Sequence, residues 1–211
     1  MKIPRHVLVR QKFRGYVVLA RQLGWRRALS VGLDLERRVR RGEPFDRDPD
    51  APLEAEDVWS REQIAPAIVL YRLLQEGDRE GAMELTRQVV LESAAVWMRH
   101  ALGDMTIHRW RALDAPGRME LLKSRTSRFG NMVLADMQVS DASAFFRVTA
   151  CRFPALCAEA GAPELAPLFC EVDAHYFGGV ERSIALERPE TLATGGEGCP
   201  FSLTWRDSDP S

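Results

Sequence analysis

The sequence lacks long apolar runs and the common motifs of enzyme sites. No window of its 211 residues approaches the ~20 unbroken apolar positions that a membrane span needs. The basic start is followed by charged residues and not by a signal-peptide core. There is no Gly-x-Gly-x-x-Gly, Walker loop, His-Glu-x-x-His, Gly-x-Ser-x-Gly or Cys-x-x-Cys. We therefore expect a cytoplasmic globular protein whose chemistry is not carried by any of these motifs.

Cysteine is scarce and unevenly placed. All four cysteines lie beyond residue 150, at Cys151, Cys157, Cys170 and Cys199. In a chain without a secretory signal, such residues are more typical of free thiols or metal ligands than of disulfides.

Positive charge is concentrated at the start of the chain. The whole sequence has 29 Lys and Arg against 30 Asp and Glu, so a general nucleic-acid-binding function is not favoured. Residues 1–41, however, contain twelve Lys or Arg and only two acids, interleaved with apolar residues. This pattern predicts a basic amphipathic helical arm, and its charge favours packing on the acidic remainder of the chain or of a second subunit in a homodimer. An acidic protein partner and an anionic membrane surface are the alternatives.

The remaining pattern predicts an α+β fold in one domain. The proline-rich stretch 42–52 reads as a linker, and 53–211 as a single α+β domain. Helical periodicity covers 58–77, 82–103 and 116–129, and returns over 153–160 and 163–177. Residues 144–151, 182–188 and 201–206 are predicted strands, the last two joined by a glycine turn, whereas 131–139 fits helix or strand. We therefore predict several N-terminal helices packed on a small C-terminal antiparallel sheet.

The densest group of reactive side chains lies near residue 170. On a helix, Cys170 and Asp173 are three residues apart and share a face. His175 lies roughly 140° from Cys170 around the axis, so it does not share that face. One interpretation is a core cysteine beside an acid that pairs with an arginine such as Arg188, and the other is a reactive pair that faces a site.

The last third of the chain resembles the L-2-amino-thiazoline-4-carboxylic acid hydrolase family. Four pieces carry the resemblance in the right order: 146–151 ending in cysteine, 161–165 leading into Cys170-x-x-Asp173, Arg188-x-x-Thr191-Leu-Ala, and 195–201 around Cys199. The sequence departs from the family in the glycine run 195–198 and in Pro200, where an acid is more common. The resemblance implies a hydrolase of a small-molecule substrate, without metal or cofactor.

The resemblance also implies roles for individual residues. A 2-aminothiazoline is a cationic, planar cyclic isothiourea, which a carboxylate such as that of Asp173 binds through parallel hydrogen bonds. Cys170 is then the nucleophile that attacks the carbon between nitrogen and sulfur, in a hydrolysis that breaks a carbon–nitrogen bond of the cyclic amidine. His175 is a candidate proton donor if the chain bends after Asp173. The candidates for substrate binding are Arg147, Cys151, Arg188, Thr191 and Cys199.

Two other classes of function remain open from the sequence. The closing pattern is also similar to the small-molecule-binding four-vinyl reductase domain, in which Cys151, Cys170, Cys199 and His175 would be metal or cofactor ligands. Alternatively, the chain is a non-catalytic accessory or scaffold protein that uses residues 1–41 to reach its partner.

Overall fold

Helices make up most of the structure. This computed structural model describes residues 3–45, 53–77 and 80–206, which form eight α-helices and one antiparallel sheet and confirm the predicted α+β class. None of the helices in these ranges combines the length and the apolar character that crossing a bilayer requires. The helices are α1 (Arg5–Leu23), α2 (Trp25–Arg40), α3 (Ala55–Gln75), α4 (Ala82–Leu102), α5 (Ile107–Ala112), α6 (Ala115–Thr126), α7 (Arg152–Glu159) and α8 (Ala166–His175).

The sheet has four strands in the order β1-β2-β4-β3, and all neighbours are antiparallel. The three predicted strands are confirmed, with small shifts of their ends. The stretch 131–139, for which the pattern fitted helix or strand, is also a strand because it pairs with its neighbour along most of its length. The strands are β1 (Met132–Val139), β2 (Ser143–Cys151), β3 (Ile184–Glu187) and β4 (Cys199–Trp205).

Alternation along the two central strands gives the sheet one buried face. Phe146 and Val148 of β2 and Phe201 and Leu203 of β4 are buried, whereas the residues between them are more exposed. The rings of Phe146 and Phe201 stack with their centroids 4.8 Å apart. The helices pack on this apolar face of the sheet.

A stacked pair of tryptophans packs the end of the sheet against helix α5. Trp110 of α5 stacks on Trp205 of β4 at a centroid distance of 4.0 Å. Each indole also donates a hydrogen bond of 2.9 Å to a backbone carbonyl, Trp110 to Ser140 and Trp205 to Met105. Both rings are buried with their polar atoms satisfied, as stable packing of tryptophan requires.

The basic segment forms a helical hairpin in which α1 and α2 meet at Gly24. Helix α1 packs along α4, and α2 packs on α3. Ion pairs link Lys12 to Glu36 within the hairpin at 2.5 Å and Arg38 to Glu76 of the remaining chain at 2.9 Å. Residues 46–52 of the predicted linker lie outside the described residues. Binding of an acidic partner or a membrane by the hairpin stays a prediction.

The contact between α1 and α4 depends on a glycine. A Cβ atom at Gly15 would lie 2.9 Å from the Ser93 Oγ and 3.3 Å from a Val89 methyl, so the two helices approach too closely for a larger side chain. At Gly32 of α2, in contrast, a Cβ atom would have no neighbour within 4 Å. The two glycines therefore form a matched pair for testing this packing.

We predict that Gly15→Leu lowers the free energy of unfolding by roughly 1–3 kcal/mol, because a branched side chain overpacks the helix interface. Gly32→Leu should leave the free energy of unfolding unchanged or raise it by up to about 1 kcal/mol, because leucine favours a helix more than glycine does. Urea denaturation followed by circular dichroism measures both. Equal stability of the two variants would contradict the close packing of α1 on α4.

Candidate active site

Cys170 and Asp173 lie together on helix α8, as their spacing predicts. The helix has Pro167 in its first turn and buries Leu168 and Val172 in the core. Both Cys170 and Asp173 border the main cavity of the protein. The orientation of α8 on the core thus presents a thiol and a carboxyl group to the same cavity.

Arg188, which follows β3, joins this pair. Its Nη1 lies 2.5 Å from Oδ2 of Asp173, and its Nη2 donates a hydrogen bond of 2.7 Å to the backbone carbonyl of Cys170. The guanidinium lies over the ring of Phe201 at 5.0 Å, and its side chain is only 8 % exposed. Asp173 therefore has the arginine partner that one of the two interpretations of the sequence anticipated. The Nε of Arg188 is buried and has no hydrogen-bond partner among the described residues.

Burial governs the protonation of the site. It raises the pKa of the Asp173 carboxyl, against the opposing effect of the Arg188 guanidinium. Burial likewise raises the pKa of the Cys170 thiol to about 11, although Arg188 and a hydrogen bond with Thr191 act in the opposite direction. In the free protein at neutral pH, Cys170 is therefore a thiol and not a thiolate.

Two further thiols border the same cavity. Cys199 begins β4, and its Sγ accepts a hydrogen bond from the backbone N–H of Leu192 at 3.3 Å. Cys151 ends β2, and its Sγ accepts one from the Asn131 side chain at 3.5 Å. Burial raises the pKa of Cys151 as well. The structure thus gathers three of the four cysteines around one space, whereas Cys157 is fully buried beside it.

A β-bulge brings Cys151 to that space. Val133 of β1 is opposite Ala150, but its neighbour Leu134 is opposite Val148, so Thr149 is an extra residue in β2. Without the bulge, the odd-numbered Cys151 would point to the same face as Arg147. Sequence alternation alone therefore gives no sign of where the cysteine lies.

The structure does not bring Arg147 or His175 to the cavity. Arg147 lies between the inward-facing Phe146 and Val148, so it points to the outer face of the sheet, where its Nε is 3.5 Å from Asp136. His175 faces α4, with its Nε2 3.7 Å from Glu92, because it lies on another side of α8 than Cys170. Thr191 is buried next to Cys170 and hydrogen-bonds the Thr194 hydroxyl at 3.0 Å.

Sequence reasoning missed several polar side chains that border the cavity, among them Asn131, Gln11 and Trp97. Asn131 donates a hydrogen bond to the Sγ of Cys151, Gln11 belongs to α1, and Trp97 belongs to α4. Trp97 fits the apolar face of a helix, and nothing local distinguishes it from a core residue. The ligand set of the metal-binding alternative is not assembled: in the described part of the chain, no three His, Cys, Asp or Glu side chains are placed to hold a metal ion.

The cavity has a volume of about 670 Å³ and extends from this site toward the α1–α2 hairpin. Most of its lining is apolar and comes from the helices and the buried face of the sheet. The polar groups at its α8 end thus adjoin a mainly apolar space.

Comparison with known proteins gives one family. No curated protein matches the chain. Among solved structures, the chain is similar to "Crystal structure of an H-NOX protein from S. oneidensis in the Fe(II)NO ligation state", with 13% identity, 93% of this chain and 98% of that chain covered, and a TM-score of 0.38. The family model for L-2-amino-thiazoline-4-carboxylic acid hydrolase matches residues 60–203, which include α8, β1 to β3 and most of β4. With more than half of its length matched, the chain belongs to the L-2-amino-thiazoline-4-carboxylic acid hydrolase family.

Proposed function

We propose that this protein is a hydrolase that opens a small cyclic amidine or isothiourea, such as a 2-aminothiazoline carboxylate, by attack of Cys170. The observation that carries the proposal is the shared placement of Cys170 and Asp173 on one face of α8, at one end of a cavity. The family to which the chain belongs supports hydrolysis as the reaction class.

Asp173 and Arg188 supply complementary groups for such a substrate. Arg188 contacts Oδ2 of Asp173, which leaves Oδ1 to accept a hydrogen bond from the cationic amidinium. The Nε of Arg188 is a buried donor without a protein partner, and it suits the carboxylate of the substrate. The ion pair therefore positions one acceptor and one donor for a ligand that carries both charges.

The proposed reaction consumes one water molecule. The thiolate of Cys170 forms a carbon–sulfur bond at the ring carbon that bears the amino group. The ring carbon–nitrogen bond then breaks, and the departing nitrogen takes the proton that the thiol released. Water adds to the resulting thioimidate carbon, and expulsion of the Cys170 thiolate releases the opened product.

The substrate itself helps to activate the nucleophile. With a pKa of about 11, Cys170 is almost entirely protonated in the free protein near pH 7. An amidinium bound at Asp173 brings positive charge next to the thiol and favours its ionisation. The reactive thiolate therefore forms mainly when the substrate is bound, which protects the free thiol from other electrophiles.

We predict that Cys170→Ser lowers turnover of 2-aminothiazoline-4-carboxylate by at least about a hundredfold, because a serine hydroxyl is a much weaker nucleophile. Folding should be nearly unchanged, since the two side chains are similar in size. Cys157→Ala is the control and should keep turnover, because Cys157 does not border the cavity. Product formation and thermal unfolding of each variant are the measurements. Full activity of Cys170→Ser would end the proposal.

Asp173→Asn should raise KM and lower kcat, because it removes the negative charge that binds the substrate. It should also destabilise the fold by up to about 3 kcal/mol, since it leaves the buried Arg188 without its counter-charge. The control is Asp136→Asn, the same change in an exposed pair, which should alter neither quantity. Steady-state kinetics and urea denaturation test both variants, and an unchanged KM for Asp173→Asn contradicts substrate binding at this carboxylate.

The raised pKa of Cys170 predicts a simple pH dependence. In the substrate-free protein, alkylation of Cys170 by iodoacetamide should speed up about tenfold per pH unit from pH 7 to 9 without levelling off, because the thiolate fraction keeps rising below the pKa. Peptide mass spectrometry follows the modification of this residue. A rate that levels off near pH 7 would show that the thiolate already exists in the free protein.

A further inference from the structure

The cavity is larger than the proposed reaction needs. Its volume of about 670 Å³ falls within the range of pockets that hold drug-sized ligands. At ~30 Å³ for each water-sized group, a ring with one carboxylate fills less than half of that space. The substrate of the proposed function therefore leaves most of the cavity volume unfilled.

The remaining space is apolar. Beyond the α8 end, helices and sheet contribute mainly aliphatic and aromatic side chains, which give water few hydrogen-bond partners. A folded core normally fills such space with its own side chains, because each void sacrifices packing energy. An apolar group of a ligand restores those contacts. Examples from the lining are Ile64, Leu70, Val90, Met98, Leu122 and Phe146.

Two buried donors border the cavity without a protein acceptor. The Nε1 of Trp97 and the Nε of Arg188 have no hydrogen-bond partner in the described ranges, and both side chains are 8 % exposed. Leaving the Arg188 donor unpaired is costly, so it indicates an acceptor that the chain does not supply, such as the polar head of a ligand. The Trp97 donor and the Oε1 of Gln11, which also borders the cavity without a partner among the described residues, are polar groups that an apolar ligand chain leaves to ordered water.

The cavity reaches the protein surface at the hairpin. Leu8 of α1 and Leu29 and Leu33 of α2 border it and are 39 %, 47 % and 58 % exposed. The paired side chains of Lys12 and Glu36 border it as well. An elongated ligand that begins at Arg188 thus has an apolar path toward solvent between these helices.

We propose that the cavity binds an amphiphile, with a polar head at Arg188 and an alkyl chain or comparably apolar group that runs toward the α1–α2 hairpin. The inference deepens the proposed function and rests on it: the substrate is a cyclic amidine or isothiourea that carries a long apolar substituent. The polar head of the ligand provides the reacting carbon at Cys170. Burial of its alkyl chain provides most of the binding energy.

The test uses straight-chain carboxylates from hexanoate to dodecanoate, each below its micelle concentration, titrated into the full-length Cys170→Ser variant by calorimetry. Each added methylene should tighten binding about threefold to fourfold, at one molecule per chain, until the cavity is full. This experiment needs no turnover. It therefore fails or succeeds separately from the test of Cys170 as a nucleophile.

Variants with larger side chains in the cavity show where the alkyl chain of the ligand binds. Ala94 of α4 borders the cavity, so Ala94→Phe should abolish the gain from the longer chains, and the smaller Ala94→Leu gives a milder form of the change if the first does not fold. The control is Ala158→Phe on the exposed side of α7, which should bind the series as the parent does. Affinity that does not depend on chain length, or that stays the same in folded Ala94 variants, would overturn the proposal.

Discussion

The ion pair between Asp173 and Arg188 is the interaction on which the candidate site depends. It joins α8 to the segment that follows β3, and a second hydrogen bond from Arg188 to the carbonyl of Cys170 fixes the guanidinium against the same helix. Both charged groups are largely withdrawn from water, so neither is tolerated without the other. The same contact orients the carboxylate, places a positive charge near the thiol, and leaves the Nε of Arg188 as a buried donor without a partner among the described residues.

The cavity next to this pair has a cost in stability. Space within a core forfeits dispersion contacts, and here the missing contacts lie between the helices and the buried face of the sheet. The stacked Trp110 and Trp205, which do not border the cavity, show that the packing at the end of the sheet is close. A ligand that fills the space would stabilise the folded state, since it binds only there.

The helical hairpin covers one end of the cavity instead of standing apart from the remaining chain. Gly15 lets α1 approach α4 closely, and the ion pair of Arg38 with Glu76 links α2 to the end of α3. The concentration of positive charge in the first 41 residues thus coexists with apolar contacts to the rest of the fold. The same segment supplies the partly exposed leucines at the opening of the cavity.

Local pattern determined most of the secondary structure, the antiparallel pairing of the C-terminal strands, and the shared face of Cys170 and Asp173, because helix and strand periods act over a few residues. It left 131–139 open between helix and strand, and pairing with β2 decided that. The family resemblance added Cys199 and a substrate-binding role for Arg188, which the residues alone had suggested as a partner of Asp173. The position of Cys151 required the bulge at Thr149, and alternation on β2 turned Arg147 outward, so their places depended on strand register. Only tertiary structure decided that Arg188 pairs with Asp173, that His175 faces Glu92, and that Trp97 borders a cavity. These contacts join segments far apart in the chain, and no local period specifies them.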